Sequence, residues 1–170
     1  SEVEDVWDSM SERVVDMITF SLRDTKNAKV FVEAKTAIHT FIRTLESFEF
    51  SVSRLNALVL SFFRRFAQLL RERFAADFQQ AIREAQHQPM IVNDATELAK
   101  VLSVCWLKPG EAEQLGKQPF PLSLPFSQTY PLCCMDIRSL VEQYYSFSQG
   151  MTQYHQEIDA ILSQSLDDLL

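Results

Sequence analysis

A chain of 170 residues is long enough to fold as one ordinary domain around a real hydrophobic core. Its 46% hydrophobic and 23% charged residues exclude a disordered or low-complexity chain. A net charge of −7 argues against nucleic-acid binding, which draws on basic surface, and against generic attachment to an anionic membrane.

The first 88 residues hold neither Gly nor Pro, whereas all six prolines and two of the three glycines fall between Pro89 and Pro131. Both residues interrupt helices, so this distribution predicts long helices, one irregular joint and a further helix. Ser1 with Glu4 reads as a capping box. Val3, Val6, Trp7, Met10, Val14, Met17 and Ile18 then recur at helical steps, predicting an amphipathic helix to about Arg23. After the polar turn Asp24–Asn27, a second helix is predicted from Ala28 to Phe48, with Val30, Phe31, Ala34, Ala37, Ile38, Phe41, Ile42 and Leu45 on one face. The turn Glu49–Ser53 leads to the longest helix, from Ser53 to about Gln86. Leu55, Leu58, Val59, Phe62, Phe63, Phe66, Leu69, Leu70, Phe74, Phe78 and Ile82 hold its face. At about 1.5 Å per residue that helix spans roughly 50 Å, which predicts an elongated product. Links this short make neighbouring helices antiparallel.

Asp94 with Glu97 predicts a second capping box and a short helix to about Trp106. Leu107–Pro131 is predicted as loop. From about Leu132 a helical pattern returns (Ile137, Leu140, Val141, Tyr144, Met151, Ile158, Leu162, Leu166), and Gly150 is read as a kink at most, not an end. The expected fold is all-α: an elongated stacked helical bundle with one proline-rich joint. The divisions are 1–88, three long antiparallel helices; 89–131, the joint with one short helix; and 132–170, a long helix continuing the rod. No apolar run approaches a membrane span, and no signal peptide is read at the N-terminus. The chain reads as a fragment.

No residue set supports catalysis. Glu84 and His87 match the spacing of a di-iron helix motif, but such a site needs that motif from two helices, and no cofactor or metal is expected. Cys105, Cys133 and Cys134 are odd in number and two are adjacent, so they read as free buried thiols of a reducing cytosol. Arg64, Arg65, Arg71 and Arg73 form a basic stretch. It is either a contact for an acidic partner or phosphoinositide or, as the preferred reading, a solvated face paired with neighbouring acids. The aromatics Phe120, Phe126 and Tyr130 in the proline-rich loop either plug a bundle end, the preferred reading, or form an exposed docking surface. Arg64, Arg65, Phe120, Phe126 and Tyr130 are the candidate partner-binding set.

Three stretches carry a resemblance. Ser51-Val52-Ser53-Arg54-Leu55 precedes the longest helix. Arg73-Phe74-Ala75-Ala76-Asp77-Phe78 and then Pro89-Met90-Ile91-Val92 follow at its end. Phe120-Pro121, Leu124-Pro125-Phe126-Ser127-Gln128 and Tyr130-Pro131 lead on to Glu157-Ile158-Asp159. In this order they resemble the Sec-fifteen family of exocyst subunits (exocyst complex component six) from about Phe50 to Leu170. The first two helices agree in pattern more than in sequence. The resemblance implies stacked helical bundles and an internal fragment of a much longer cytoplasmic chain. It also implies tethering of secretory vesicles to the plasma membrane before SNARE-mediated fusion, contacts with other exocyst subunits, and recognition of a GTP-bound Rab GTPase on a surface that could lie outside this stretch. A related tether with the same fold and a lipid-binding amphipathic bundle are the alternatives.

Overall fold

The computed structural model describes residues 1–85 and 87–169, so the predicted helix ends at Gln86 and Leu170 lie outside the described residues. It is 74% helical, and the all-α expectation holds. The elements are α1 (Glu2–Leu22), α2 (Ala28–Ser47), α3 (Ser53–Glu84), β1 (Ile91–Val92), α4 (Ala95–Val104), α5 (Glu111–Gly116), β2 (Leu122–Ser123), α6 (Thr129–Ser148), a 3₁₀ turn (Thr152–Tyr154) and α7 (His155–Asp167). They form two compact units: Ser1–Glu72 with Tyr144–Leu170, and Arg73–Gln143.

Local chemistry sets the helix starts. The Ser1 hydroxyl accepts from the Glu4 N–H, completing the predicted capping box of α1. The Asn27 side chain accepts from the Lys29 N–H to open α2. Asp94 Oδ1 accepts from Thr96 and Glu97 N–H, both at 2.8 Å, while Glu97 reaches back to the Asn93 N–H rather than to Asp94.

In the first unit α3 is central. Leu55, Val59, Phe62, Phe63, Phe66 and Leu70 are all buried, and aromatic rings form the seams. Phe31 of α2 meets Phe62 at 5.5 Å between ring centroids. Phe63 meets Tyr144 at 5.7 Å and Phe147 at 5.5 Å, and Phe66 stacks on Phe147 at 4.6 Å. Buried aromatics packed edge-on or offset contribute beyond their area alone. The face of α1 differs from the sequence reading. Trp7, Val14 and Ile18 turn inward, but Val3, Val6, Met10 and Met17 are exposed, because a wider apolar face recurs on this helix than its neighbours cover. Phe41 and Ile82 are likewise exposed.

In the second unit β1 and β2 pair antiparallel, Ile91 opposite Ser123 and Val92 opposite Leu122. Val92, Leu98, Val101, Cys105, Leu122 and Leu124 form its core. The stretch predicted as loop, Leu107–Pro131, therefore contains a helix, a strand and the start of α6. Six residues after Gly110, which sits at φ +87°, are too few to show a helical period. A two-residue strand is too short to show alternation. Pro131 sits in the first turn of α6, where its missing N–H costs nothing.

Gly150 corrects a further expectation. The helix does not pass through it with a kink; α6 ends at Ser148 and α7 begins at His155. Gly150 takes φ +82°, which ends a helix readily because glycine lacks the Cβ penalty there.

Candidate partner-binding surface

The candidate arginines lie on α3. Arg64 is exposed, and Arg65 is half-buried, donating to Gln68 Oε1 at 2.9 Å. In the first unit Arg64, Gln68 and Arg71 face Ile161 and Gln164 of α7 across an open cavity of about 400 Å³. Arg71 is already committed, with Nη1 at 2.8 Å from Asp168 Oδ2. In the second unit Arg73 donates to Gln143 at 3.4 Å and lies 5.2 Å over the Phe74 ring. Among the described residues Arg64 and Arg65 form no ion pair, so these two keep their charge available to an acidic partner.

The candidate aromatics belong to the second unit. Phe126 and Tyr130 come together, with ring centroids 5.0 Å apart and planes at 47°, and both pack on the core cluster. The Phe126 carbonyl accepts from the Met90 N–H at 2.9 Å, and the Tyr130 hydroxyl donates to the Trp106 carbonyl at 2.5 Å. Burial, then the neighbouring Cys134 thiol, pushes the Tyr130 hydroxyl up in pKa. Phe120 does not join them and is exposed just ahead of β2. Beside Tyr130 the sequence reading missed a pair. Arg138 donates from Nε to the Val104 carbonyl at 3.2 Å and lies 5.2 Å over the Trp106 ring, which is exposed. A helical Arg and a loop Trp separated by 32 positions leave no signal in sequence spacing.

Other reactive side chains are placed for packing. Cys105 and Cys134 are buried and Cys133 is half-buried. Burial raises Cys105 and Cys133 above the ordinary thiol range, the wrong direction for a nucleophile. His155 is exposed. The Glu84-to-His87 spacing passes through Gln86, outside the described residues. Among the described residues no group of three or more His, Cys, Asp or Glu is placed to hold a metal ion. No helix among them is long and apolar enough to cross a membrane.

A second surface in the first unit was also invisible to sequence spacing. Trp7 Nε1 donates to the Ser51 carbonyl at 2.8 Å, and its ring lies 5.6 Å from Phe50. Around this pair Asp5, Asp8, Glu49 and Arg54 border a cavity of about 450 Å³. Arg54 is held there by Asp8 at 3.0 Å and Glu12 at 3.8 Å.

A family model described as "Exocyst complex subunit Sec15 C-terminal" matches residues 54–170. The chain is similar to exocyst complex component SEC15 of Saccharomyces cerevisiae, 25% identical over 96% of this chain and 19% of that protein. It is 27% identical to exocyst complex component sec15 of Schizosaccharomyces pombe over 86% of this chain and 18% of that one. It is 25% identical to exocyst complex component 6 of Rattus norvegicus over 98% of this chain and 20% of that protein. The chain thus spans about a fifth of the length of the relatives it matches. The family match begins close to where the motif resemblance does, and the relatives also take in the region of α1 and α2. No solved structure matches.

Proposed function

The chain belongs to the Sec15 family of exocyst subunits, and on that premise we propose that it is an assembly module of the exocyst, acting through docking surfaces and not through catalysis. The observation that carries this reading is the family match across residues 54–170. Two features of the chain support it. Its reactive side chains are buried, dispersed or spent on internal hydrogen bonds. Its surface chemistry is of the docking kind: arginine at Arg64 and Arg65 with no ion pair among the described residues, and exposed aromatic surface at Phe120 and Trp106. The parent subunit, on this reading, is a cytoplasmic protein recruited to secretory vesicles and the plasma membrane. There it tethers vesicles before SNARE-mediated fusion and serves as effector of a GTP-bound Rab GTPase. Other exocyst subunits are its constant partners.

The test immobilises the purified chain and offers each remaining exocyst subunit separately, then Rab GTPases loaded with GDP or a non-hydrolysable GTP analogue. Retention of at least one exocyst subunit is expected. GTP-dependent retention of a Rab adds the effector surface to this stretch. Failure of every exocyst subunit to bind both this chain and the longer parent overturns the proposal.

A further inference from the structure

One cavity of the first unit gathers polar side chains from three separate elements. About 210 Å³ in volume, it lies between α2, the start of α3 and the turn that follows α6. Ile42, Val59 and Met151 form its buried apolar floor. Around them stand His39, Arg43 and Glu46 of α2, Asn56 of α3, and Thr152 and Tyr154 beyond Gly150. A Cβ at Gly150 would sit 3.2 Å from His39 Cε1, so glycine keeps that side of the cavity clear. Among the described residues Arg43 forms no ion pair. None of these six side chains hydrogen-bonds within the protein, and their polar atoms stay open to a ligand.

We propose that this cavity binds a phosphate monoester of a small polyol, its phosphate on the His39–Arg43 side and a hydroxyl on Glu46. Donors dominate the lining. The Arg43 fork grips two phosphate oxygens at once. Asn56 offers its amide NH₂, and Thr152 and Tyr154 offer hydroxyls. Burial and the charges of Lys35 and Arg43 keep the His39 imidazole neutral at neutral pH, so one ring nitrogen donates. Lys35, one turn before His39, is fixed on the Phe147 and Gln149 carbonyls and adds positive charge behind the ring. A tetrahedral phosphate has acceptors enough for such a set, whereas a planar carboxylate presents two oxygens and leaves donors unmet. Glu46 is the one acid of the lining, and it repels a bare anion. It selects a ligand that carries a hydroxyl donor beside its phosphate. The volume falls below the roughly 300–1,000 Å³ of sites for drug-sized ligands, which keeps the ester small. This chemistry occurs free in solution and on the head of an inositol phospholipid.

Titration with glycerol 3-phosphate and with inorganic phosphate, in a phosphate-free buffer at neutral pH, tests this. The His39 imidazole is followed by NMR and assigned by its loss in His39→Gln. Saturable shifts are expected, with glycerol 3-phosphate binding more tightly. The His39 titration midpoint should rise toward 6.5 in its presence, because a bound anion offsets Lys35 and Arg43. Arg43→Gln should weaken binding at least about tenfold and leave the circular dichroism unchanged, since Arg43 is exposed. Glu46→Gln should erase the preference for glycerol 3-phosphate over inorganic phosphate. Arg64→Gln, at an exposed arginine that does not line the cavity, should bind as the unsubstituted chain does. Phosphatidylcholine vesicles with and without phosphatidylinositol 4-phosphate separate the two sources. Retention on the phosphorylated vesicles that Arg43→Gln abolishes assigns the site to a lipid head, and its absence assigns the site to a soluble ester. No saturable shift with either phosphate overturns the proposal. So does a shift indifferent to Arg43→Gln, or an equal loss in Arg43→Gln and Arg64→Gln.

Discussion

Lys35 Nζ donates to the backbone carbonyls of Phe147, at 2.5 Å, and Gln149, at 2.7 Å. One buried ammonium on α2 thus caps the C-terminal end of α6, where the last carbonyls of a helix lack intrahelical partners and carry its negative dipole end. Burial lowers the pKa of Lys35, the cost of holding a cation there. Lys35→Met keeps the stem and deletes the donors, leaving the carbonyls unmatched. The expected loss is about 2–3 kcal/mol, read by urea denaturation. Lys29 lies on the same helix but is exposed, with only a 3.9 Å pairing to Glu33. Lys29→Met should stay within about 0.5 kcal/mol.

The aromatic seam should behave as core. Phe66 is buried and stacked on Phe147, and Phe74 is also buried. Phe66→Ala and Phe74→Ala should each cost roughly 3–5 kcal/mol, the transfer term plus the cavity left behind. Phe48 is exposed, so Phe48→Ala should leave the thermal midpoint nearly unchanged. Equal effects at Phe48 and Phe66 would contradict this core assignment.

Periodicity made the long helices legible. Predicted starts at Ala28 and Ser53 coincide with those of α2 and α3, because each apolar row is long and a short polar residue, Asn27 or Ser53, stands where it begins. Depth was less legible. Val3, Met10 and Ile82 carry the same helical spacing as Leu55 and Phe63, yet only the latter two are buried. Spacing reports that a face is apolar and does not report whether a neighbour covers it. Lys35 was missed for the opposite reason. It lies at the buried steps of α2, between Phe31 and Ile38, where an apolar residue is expected, and its carbonyl partners are more than a hundred positions away. Of the candidate aromatics, Phe126 and Tyr130 meet because β2 and the start of α6 bring them together. Neither element has enough residues at that point to declare itself in sequence.

Tyr144 offers a test of a single hydroxyl. It is buried, and its oxygen lies 2.6 Å from Ser165 Oγ and 3.2 Å from the Ala67 carbonyl. Burial pushes its pKa up, with the Ser165 hydrogen bond and the Arg71 charge acting the other way. Tyr144→Phe keeps the ring contact with Phe63 and removes the hydroxyl. The expected cost is about 1–2 kcal/mol, less than for a ring deletion, because Ser165 retains its bond to the Ile161 carbonyl. A urea midpoint equal to that of the unsubstituted chain would show that this buried hydroxyl contributes nothing net.

His39 gives the chain a pH dependence of defined sign. Burial, then the positive charges of Lys35 and Arg43, hold its imidazole below the ordinary value of 6.5, and Glu46 only partly opposes them. In the unfolded chain the imidazole returns to that ordinary value. Between the lowered folded value and 6.5 the unfolded state therefore binds a proton that the native state refuses, and stability rises with pH across that window. His39's contribution is complete above 6.5 and is lost as pH falls toward the folded value. Asp136 acts in the opposite sense. Burial and Asp77 raise its carboxyl, so taking up a proton in acid relieves a cost paid in the native state. Comparison with His39→Gln isolates the histidine, since glutamine is of similar size and does not titrate. Urea midpoints at pH 7.5 and pH 5 should differ more in the unsubstituted chain than in His39→Gln, with the acid value lower. The substitution is read better at His39 than at its neighbour Gly150. A Cβ there would sit 3.2 Å from His39 Cε1 at φ +82° and add strain of its own. Equal pH slopes in the two proteins would mean that His39 titrates normally in the fold.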